Sequence, residues 1–190
     1  MVDIKSLPMF YPPDGLYYIF SRDFGHFWRQ RSGISDGGIL DCEPLESKRE
    51  ELSMHHRIWK MTTMSPANAK RGPRVILQSA QGLHFNAPEE MGCYVSKKSS
   101  KIIQSNKKAS WILCAHGSKP YAYKILTSDM RLAINSPTHT IYNTKTDLKA
   151  EFHVTEAYDI RVYDPQWWYF IPVSQIDKFL EENGIRRLDV

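Results

Sequence analysis

Three short runs, RVILQSA (74–80), SWILCA (110–115) and YAYKILTS (121–128), decide how this chain of 190 residues is read. Each is brief, rich in β-branched, aliphatic or aromatic residues, and bounded by turn formers, as a buried strand is. HGSKP (116–120) stands between the second and third as a turn. Working outward, CYVSKKSSKIIQS (93–105) divides into two short strands around residues 97–100, and MRLAIN (130–135) adds another before Pro137. DLKAEFHVT (147–155), YDIRVYD (158–164) and WWYFIPV (167–173) continue the β texture. SQIDKFLEENG (174–184) then closes the chain as a helix, with Ser174 as N-cap, Asp177 in the first turn and Gly184 as the stop.

On the N-terminal side, GLYYIF (15–20) and HFWRQR (26–31) are expected to pair as a hairpin across residues 21–25. Residues 1–14, with Pro8, Pro12 and Pro13, read as an extended arm. A helix is predicted over residues 43–60, where Pro44 and early acids suit a first turn and Leu45, Leu52, His55, Ile58 and Trp59 share a face. Residues 61–73 read as loop, and no internal repeat stands out. Few helices against many strands predict one α+β domain over residues 1–190. Its sheet is mainly antiparallel and mixed, with one helix in the N-terminal third and one at the C-terminus.

The composition is 42% hydrophobic, 12% aromatic and 24% charged, which supplies a packed core and excludes wholesale disorder. No apolar run reaches the roughly 18–20 residues that cross a bilayer, and the first ten residues lack the pattern of a leader. A cytoplasmic or nuclear protein is therefore expected. Cys42, Cys93 and Cys114 are odd in number and contain no C-x-x-C pair, so buried, reduced thiols are expected.

Charge gives the strongest functional signal. Residues 52–128 form a basic, acid-poor region; its first part, residues 52–124, carries twelve Lys and Arg against Glu89 and Glu90. Aromatic residues are interleaved with the cations, the usual footprint of a protein that holds a polyanion. Lys97, Lys98, Lys101, Lys107 and Lys108 fit a lysine-rich hairpin laid against phosphates, with Trp111 as a stacking residue. Arg71 and Arg74 suit bidentate recognition of phosphate or guanine. In the strand over residues 147–155, period two sends Asp147, Lys149, Glu151 and His153 to one face. Asp147, Lys149 and Glu151 are accordingly the candidate catalytic residues. Asp129, Asp147 and Glu151 are the candidate Mg²⁺ ligands of a phosphodiesterase.

Two partial resemblances accompany this. YDIRVYDPQWWYFIPVSQIDKFL (158–180) resembles, in hydrophobic pattern, the late strand–turn–strand–helix of PD-(D/E)xK nucleases. The triplet Asp147-Leu148-Lys149 begins its strand and Glu46-Ser47-Lys48 falls in the predicted helix, so neither matches that family's pattern and the family is not assigned. GLYYI (15–19) resembles the first half of a GIY-YIG nuclease, whose second half is missing. His84, His116 and His139 offer a metal-free alternative as acid and base.

The resulting expectation is a nucleic-acid-binding protein, acting on DNA or RNA with DNA preferred, and a candidate Mg-dependent endonuclease. The alternative is a protein–protein interaction or inhibitor protein that uses Trp167, Trp168, Tyr169 and Phe170, a surface that also suits a homodimer.

Overall fold

The computed structural model describes residues 11–21, 26–29, 40–44, 57–68, 71–80, 92–96, 101–105, 109–115, 122–135, 146–147, 149–152 and 166–182. Thirteen strands and one α-helix are assigned among them. In chain order the strands are β1 (Gly15–Ser21), β2 (His26–Arg29), β3 (Asp41–Pro44), β4 (Ile58–Ser65), β5 (Arg74–Ser79), β6 (Gly92–Val95) and β7 (Ile102–Ser105). Then come β8 (Ser110–Ala115), β9 (Ala122–Thr127), β10 (Leu132–Asn135), β11 (Thr146–Asp147), β12 (Lys149–Phe152) and β13 (Trp168–Pro172). A 3-10 turn, Val173–Gln175, leads into α1 (Ile176–Glu182).

Six of these strands close a ring. β1 pairs with β4, β4 with β5, β5 with β8, β8 with β9, β9 with β13, and β13 returns to β1, every pair antiparallel. Closure leaves no edge strand on the barrel to pair with another chain. The α+β expectation is thus corrected: the described residues form a nearly all-β structure around this barrel, with one short helix among them. The barrel interior follows from simple alternation, since each strand contributes two buried residues at period two. These are Tyr17 and Ile19, Trp59 and Met61, Val75 and Leu77, Trp111 and Leu113, Tyr123 and Ile125, and Trp168 and Phe170.

The pairing registers repeat three times, which corrects the expectation of no internal repeat. Ser21 stands opposite Trp168, Ser79 opposite Trp59, and Thr127 opposite Trp111. Two residues deeper, Ile19 faces Phe170, Leu77 faces Met61 and Ile125 faces Leu113. Each repeat thus has two barrel strands and an intervening hairpin: β1–β4, β5–β8, and β9–β13. The hairpins are β2 with β3, β6 with β7, and β10 with β12. They join one another over one barrel end, because Leu40 N–H donates to the Ile102 carbonyl at 2.9 Å and β11 pairs with β3.

Several expectations on individual elements change. The helix over residues 43–60 gives way at both ends to β3 and β4, and residues 45–56 lie outside the described residues. Trp59 and Met61 are buried while Ile58 and Lys60 are half-exposed, so the true period is two; Trp59 satisfied both patterns. β4 continues to Ser65 through residues read as loop. Of the single strand expected over residues 147–155, Asp147 pairs with β3 in β11 and residues 149–152 pair with β10 in β12, while residues 148 and 153–155 lie outside the described residues. The strand at 158–164 lies outside the described residues. The expected pairing of the first two strands is present, with Phe20 of β1 opposite Phe27 of β2; residues 22–25 and 30–31 lie outside the described residues.

The C-terminal helix also forms, entered through the 3-10 turn and without a side-chain cap from Pro172. It lies on the barrel's outside. Ile176 and Leu180 join Tyr18, Phe20, Phe27 and Ile171 in a second apolar cluster over the seam of β1 and β13. Each such buried side chain contributes roughly 1.5–3 kcal/mol. None of the three cysteines is joined in a disulfide, and burial pushes the Cys93 thiol up to about 12.

Candidate functional site

Among the described residues, the cations of the basic region do not assemble into one face. Arg57 and Lys124 are buried, Arg57 over the Phe27 ring (5.9 Å) and Lys124 over the Trp167 ring (4.8 Å). Lys60, Arg74 and Lys101 are half-buried, and Arg71 is exposed. Arg71 precedes and Arg74 begins β5, whereas Lys101 adjoins the cap hairpin of β6 and β7, which meets β5 near its other end at Gln78 and Gly92. Lys97, Lys98, Lys107 and Lys108 lie outside the described residues. Trp111, expected to stack on bases, is a core residue whose Nε1 donates to the Cys93 carbonyl at 3.1 Å.

The proposed carboxylate set is not gathered either. Lys149 stands opposite Asn135 and Glu151 opposite Ala133, while Asp147 pairs with Asp41 on a different strand. Asp129 sits in the turn before Leu132, at the other end of the β10 ladder from Asp147, and β10 itself spans about 10 Å. The aromatic tail is not a surface: Trp167, Trp168 and Phe170 are buried, and Tyr169 packs against the cluster beneath α1.

The best-defined polar feature is the turn carrying Asp129. β9 and β10 pair at Leu126 and Ala133, and residues 127–132 connect them at the junction of barrel and cap. Met130 adopts φ 61, a left-handed conformation that non-glycine residues visit seldom. Its N–H donates to the Thr127 carbonyl at 2.8 Å, closing the turn. Leu132 N–H donates to Thr127 Oγ1 at 3.1 Å, and that hydroxyl donates onward to Asp129 Oδ1. Arg131 N–H reaches the same Oδ1 at 3.1 Å. Both bonds to the carboxylate therefore converge on one oxygen. The Thr127 hydroxyl, then the Arg131 N–H, hold the Asp129 carboxyl below its ordinary value, so it is an anion at neutral pH. Ser128, Asp129, Met130 and Arg131 are all exposed. The result is a fixed anionic acceptor beside an apolar side chain and a cationic one.

A second exposed feature is the loop between β4 and β5. Asn68 and Arg71 form a bridge, with Asn68 N–H to the Arg71 carbonyl at 2.9 Å and Arg71 N–H to Asn68 Oδ1 at 3.1 Å. Asp14 anchors the strand entering it by accepting from Thr63 N–H at 2.8 Å. Gly72 anchors the exit, where an added Cβ would lie 1.6 Å from the Leu113 carbonyl oxygen; only glycine permits so close an approach.

No protein-family model and no curated protein matches this chain. Solved structures do. The Rhizoctonia solani agglutinin is 16% identical, with TM-score 0.59, covering 87% of this chain and 99% of its own. The ricin B-like lectin of Macrolepiota procera, solved in complex with lactose, is 11% identical, with TM-score 0.56 over 86% of this chain and 99% of its own. A proteinase inhibitor of Coprinopsis cinerea is 10% identical, with TM-score 0.57 over 86% and 100%. These neighbours are lectins and an inhibitor, and with the burial and scatter described above they overturn the DNA-binding and nuclease readings. The closed six-strand barrel, its three repeated registers and these full-length likenesses together make the chain a β-trefoil.

Proposed function

We propose that this protein binds carbohydrate, with the turn of residues 127–132 as its contact site. The observation that carries the reading is the Asp129 carboxylate, ionised and held at Oδ1 by its own turn while remaining exposed. Sugar hydroxyls are donors that a preorganised carboxylate accepts strongly. The exposed Met130 side chain offers apolar contact to the C–H face of a ring, and Arg131 can donate to ring or hydroxyl oxygens. The neighbour solved with lactose supports the choice of ligand class.

The test is binding to a printed panel of neutral mono- and oligosaccharides, repeated with Asp129→Asn, which keeps an acceptor at Oδ1 but removes the charge. Affinity for the bound glycan is expected to fall at least tenfold, with the melting temperature unchanged. The pH dependence follows from the lowered carboxyl value. Binding is flat from neutral pH down to the ordinary carboxylate range near about pH 4 and falls only below it, as Asp129 takes up its proton. Equal binding by Asp129→Asn would remove this site.

One observation favours a second reading, proteinase inhibition. The Asn68–Arg71 bridge presents an exposed arginine on a loop anchored at both ends, and such rigidity lowers the cost of docking. Inhibition of a proteinase that cleaves after Arg or Lys, lost in Arg71→Ala, is its expected signature. Unimpaired hydrolysis by that proteinase at micromolar concentrations of this protein counts against it.

A further inference from the structure

The end of the barrel opposite the cap breaks the threefold pattern. Two residues further from the cap than Ile19, Leu77 and Ile125 stand Tyr17, Val75 and Tyr123, opposite Pro172, Thr63 and Ala115. Two of these three equivalent positions carry a tyrosine, and β5 carries a valine. A third tyrosine reaches the layer from outside the barrel strands. Tyr11 packs on the core cluster that holds all three residues, its ring 6.0 Å from that of Tyr123. Its hydroxyl takes a hydrogen bond from the Ala115 backbone and lies 3.0 Å from where a Cβ on Gly72 would stand.

The residues between Tyr11 and β1 are tied as well. Tyr17 Oη donates to the Pro13 carbonyl at 2.6 Å, and Asp14 Oδ1 accepts from Thr63 N–H at 2.8 Å. Asp14 thereby holds β4 beyond its last pairing with β1, Gly15 opposite Met61, where β4 shifts register against β5 between Thr63 and Ser65. In the ring of pairings β8 is three strands from β1 in either direction. A segment held at β4 and at the seam of β8 and β9 therefore crosses the barrel's end. Its two fixed points, Thr63 and Gly72, also flank the Asn68–Arg71 bridge in the chain.

We propose that residues 11–14 are a clasp across this end of the barrel, and that its closure keeps the Asn68–Arg71 bridge formed. These four residues belong to no strand, and Pro13 and Asp14 are exposed. The clasp can therefore lift as a local opening while the barrel ladders stay intact. Lifting it frees Thr63 N–H and the surroundings of Gly72 together, so the exposed Arg71 passes from a fixed to a loose presentation. This holds whatever Arg71 contacts, and it is independent of the carbohydrate reading of the Asp129 turn at the other end.

Limited trypsin digestion of the whole chain under native conditions, with fragments weighed by mass spectrometry, reports the opening at Arg71. Cleavage between Arg71 and Gly72 is expected to be roughly tenfold faster in Asp14→Ala, which loses a bond to a charged acceptor, and at least as fast again in Tyr11→Ala. Asp14→Asn keeps an acceptor for Thr63 N–H and Tyr11→Phe keeps the ring, so each is expected to fall between wild type and its alanine variant. Leu180→Ala, which loosens the cluster beneath α1, is expected to lower the melting temperature and leave the rate at Arg71 unchanged. A wild-type rate in either alanine variant, or a Leu180→Ala rate raised as much as theirs, overturns the clasp. Should Tyr11→Ala fail to fold, Asp14→Ala decides alone.

Discussion

The first repeat and the other two solve the same packing problem differently. At the cap end of the barrel each repeat places a tryptophan, Trp59, Trp111 or Trp168, in the same register. In repeats 2 and 3 the indole N–H is satisfied by a carbonyl of the adjoining cap strand: Cys93 for Trp111, Ile134 for Trp168 at 2.9 Å. The corresponding cap residue of repeat 1 is Trp28, one place beyond Phe27 as Cys93 follows Gly92 and Ile134 follows Ala133. Trp28 packs edge-on against both Trp59 and Trp168, each ring centroid 5.5 Å away. Neither Trp28 Nε1 nor Trp59 Nε1 has an acceptor among the described residues. Cys93, Ile134 and Trp28 are all buried in the same core cluster, and of the three Trp28 is the largest. Repeat 1 thus exchanges a hydrogen bond for aromatic packing, contacts worth about 0.5–1.5 kcal/mol each. The comparison teaches that a threefold backbone does not require a threefold core.

The largest expected effect comes from removing the residue that makes the difference. Trp28→Ala empties the space between Trp59 and Trp168 and is expected to cost about 3–5 kcal/mol in denaturant unfolding, as other large aromatic truncations do. A loss below about 1 kcal/mol would mean that the cap collapses around the vacancy and that Trp28 is not its keystone.

A smaller effect sharpens the contrast between the repeats. Trp59→Phe, Trp111→Phe and Trp168→Phe remove the same atoms in equivalent places. Only the latter two strand a buried carbonyl, Cys93 or Ile134, and each is expected to cost about 1–3 kcal/mol more than Trp59→Phe. Equal losses in all three, read from chemical denaturation, would erase the distinction.

The sequence shows the individual strands more plainly than their arrangement. RVILQSA, SWILCA, YAYKILTS and MRLAIN all form strands because short apolar runs between turn formers have few other ways to bury themselves. The repeat was also present, though faint. Ile19-x-Ser21, Leu77-x-Ser79 and Ile125-x-Thr127 match one another, as do Trp59-x-Met61, Trp111-x-Leu113 and Trp168-x-Phe170. Unequal connections hide them, since the stretch 79–91 of repeat 2 is longer than its counterparts and a fixed period never emerges. The helix over residues 43–60 failed because Trp59 fits both periods, and the true partner of each β4 residue lies on another strand.

The candidate site was legible only in part. Asp129 was named, but as a metal ligand grouped with Asp147 and Glu151, which pair with different strands, β3 and β10. Its fixed position follows instead from the hydroxyl two residues before it and the left-handed Met130 after it. The basic region misled for a related reason. Neighbours in sequence alternate between faces and ends of a barrel, so Lys124 is buried against Trp167 while Arg71 is exposed just before β5. Clustering of charge along the chain is not clustering in space.

By itself the sequence determined a β-rich, core-forming chain with free thiols, a closing helix and a hairpin at its start. Those properties depend on composition and on contacts within a few residues, where alternation and turn chemistry act directly. Only the tertiary structure decided that six strands close into a barrel and that three unequal stretches are equivalent. It alone buried Trp111 and the aromatic tail and left the Asp129 turn outside. These outcomes depend on pairings between residues tens of positions apart, set by how complementary side chains fill one shared interior. No local pattern encodes them.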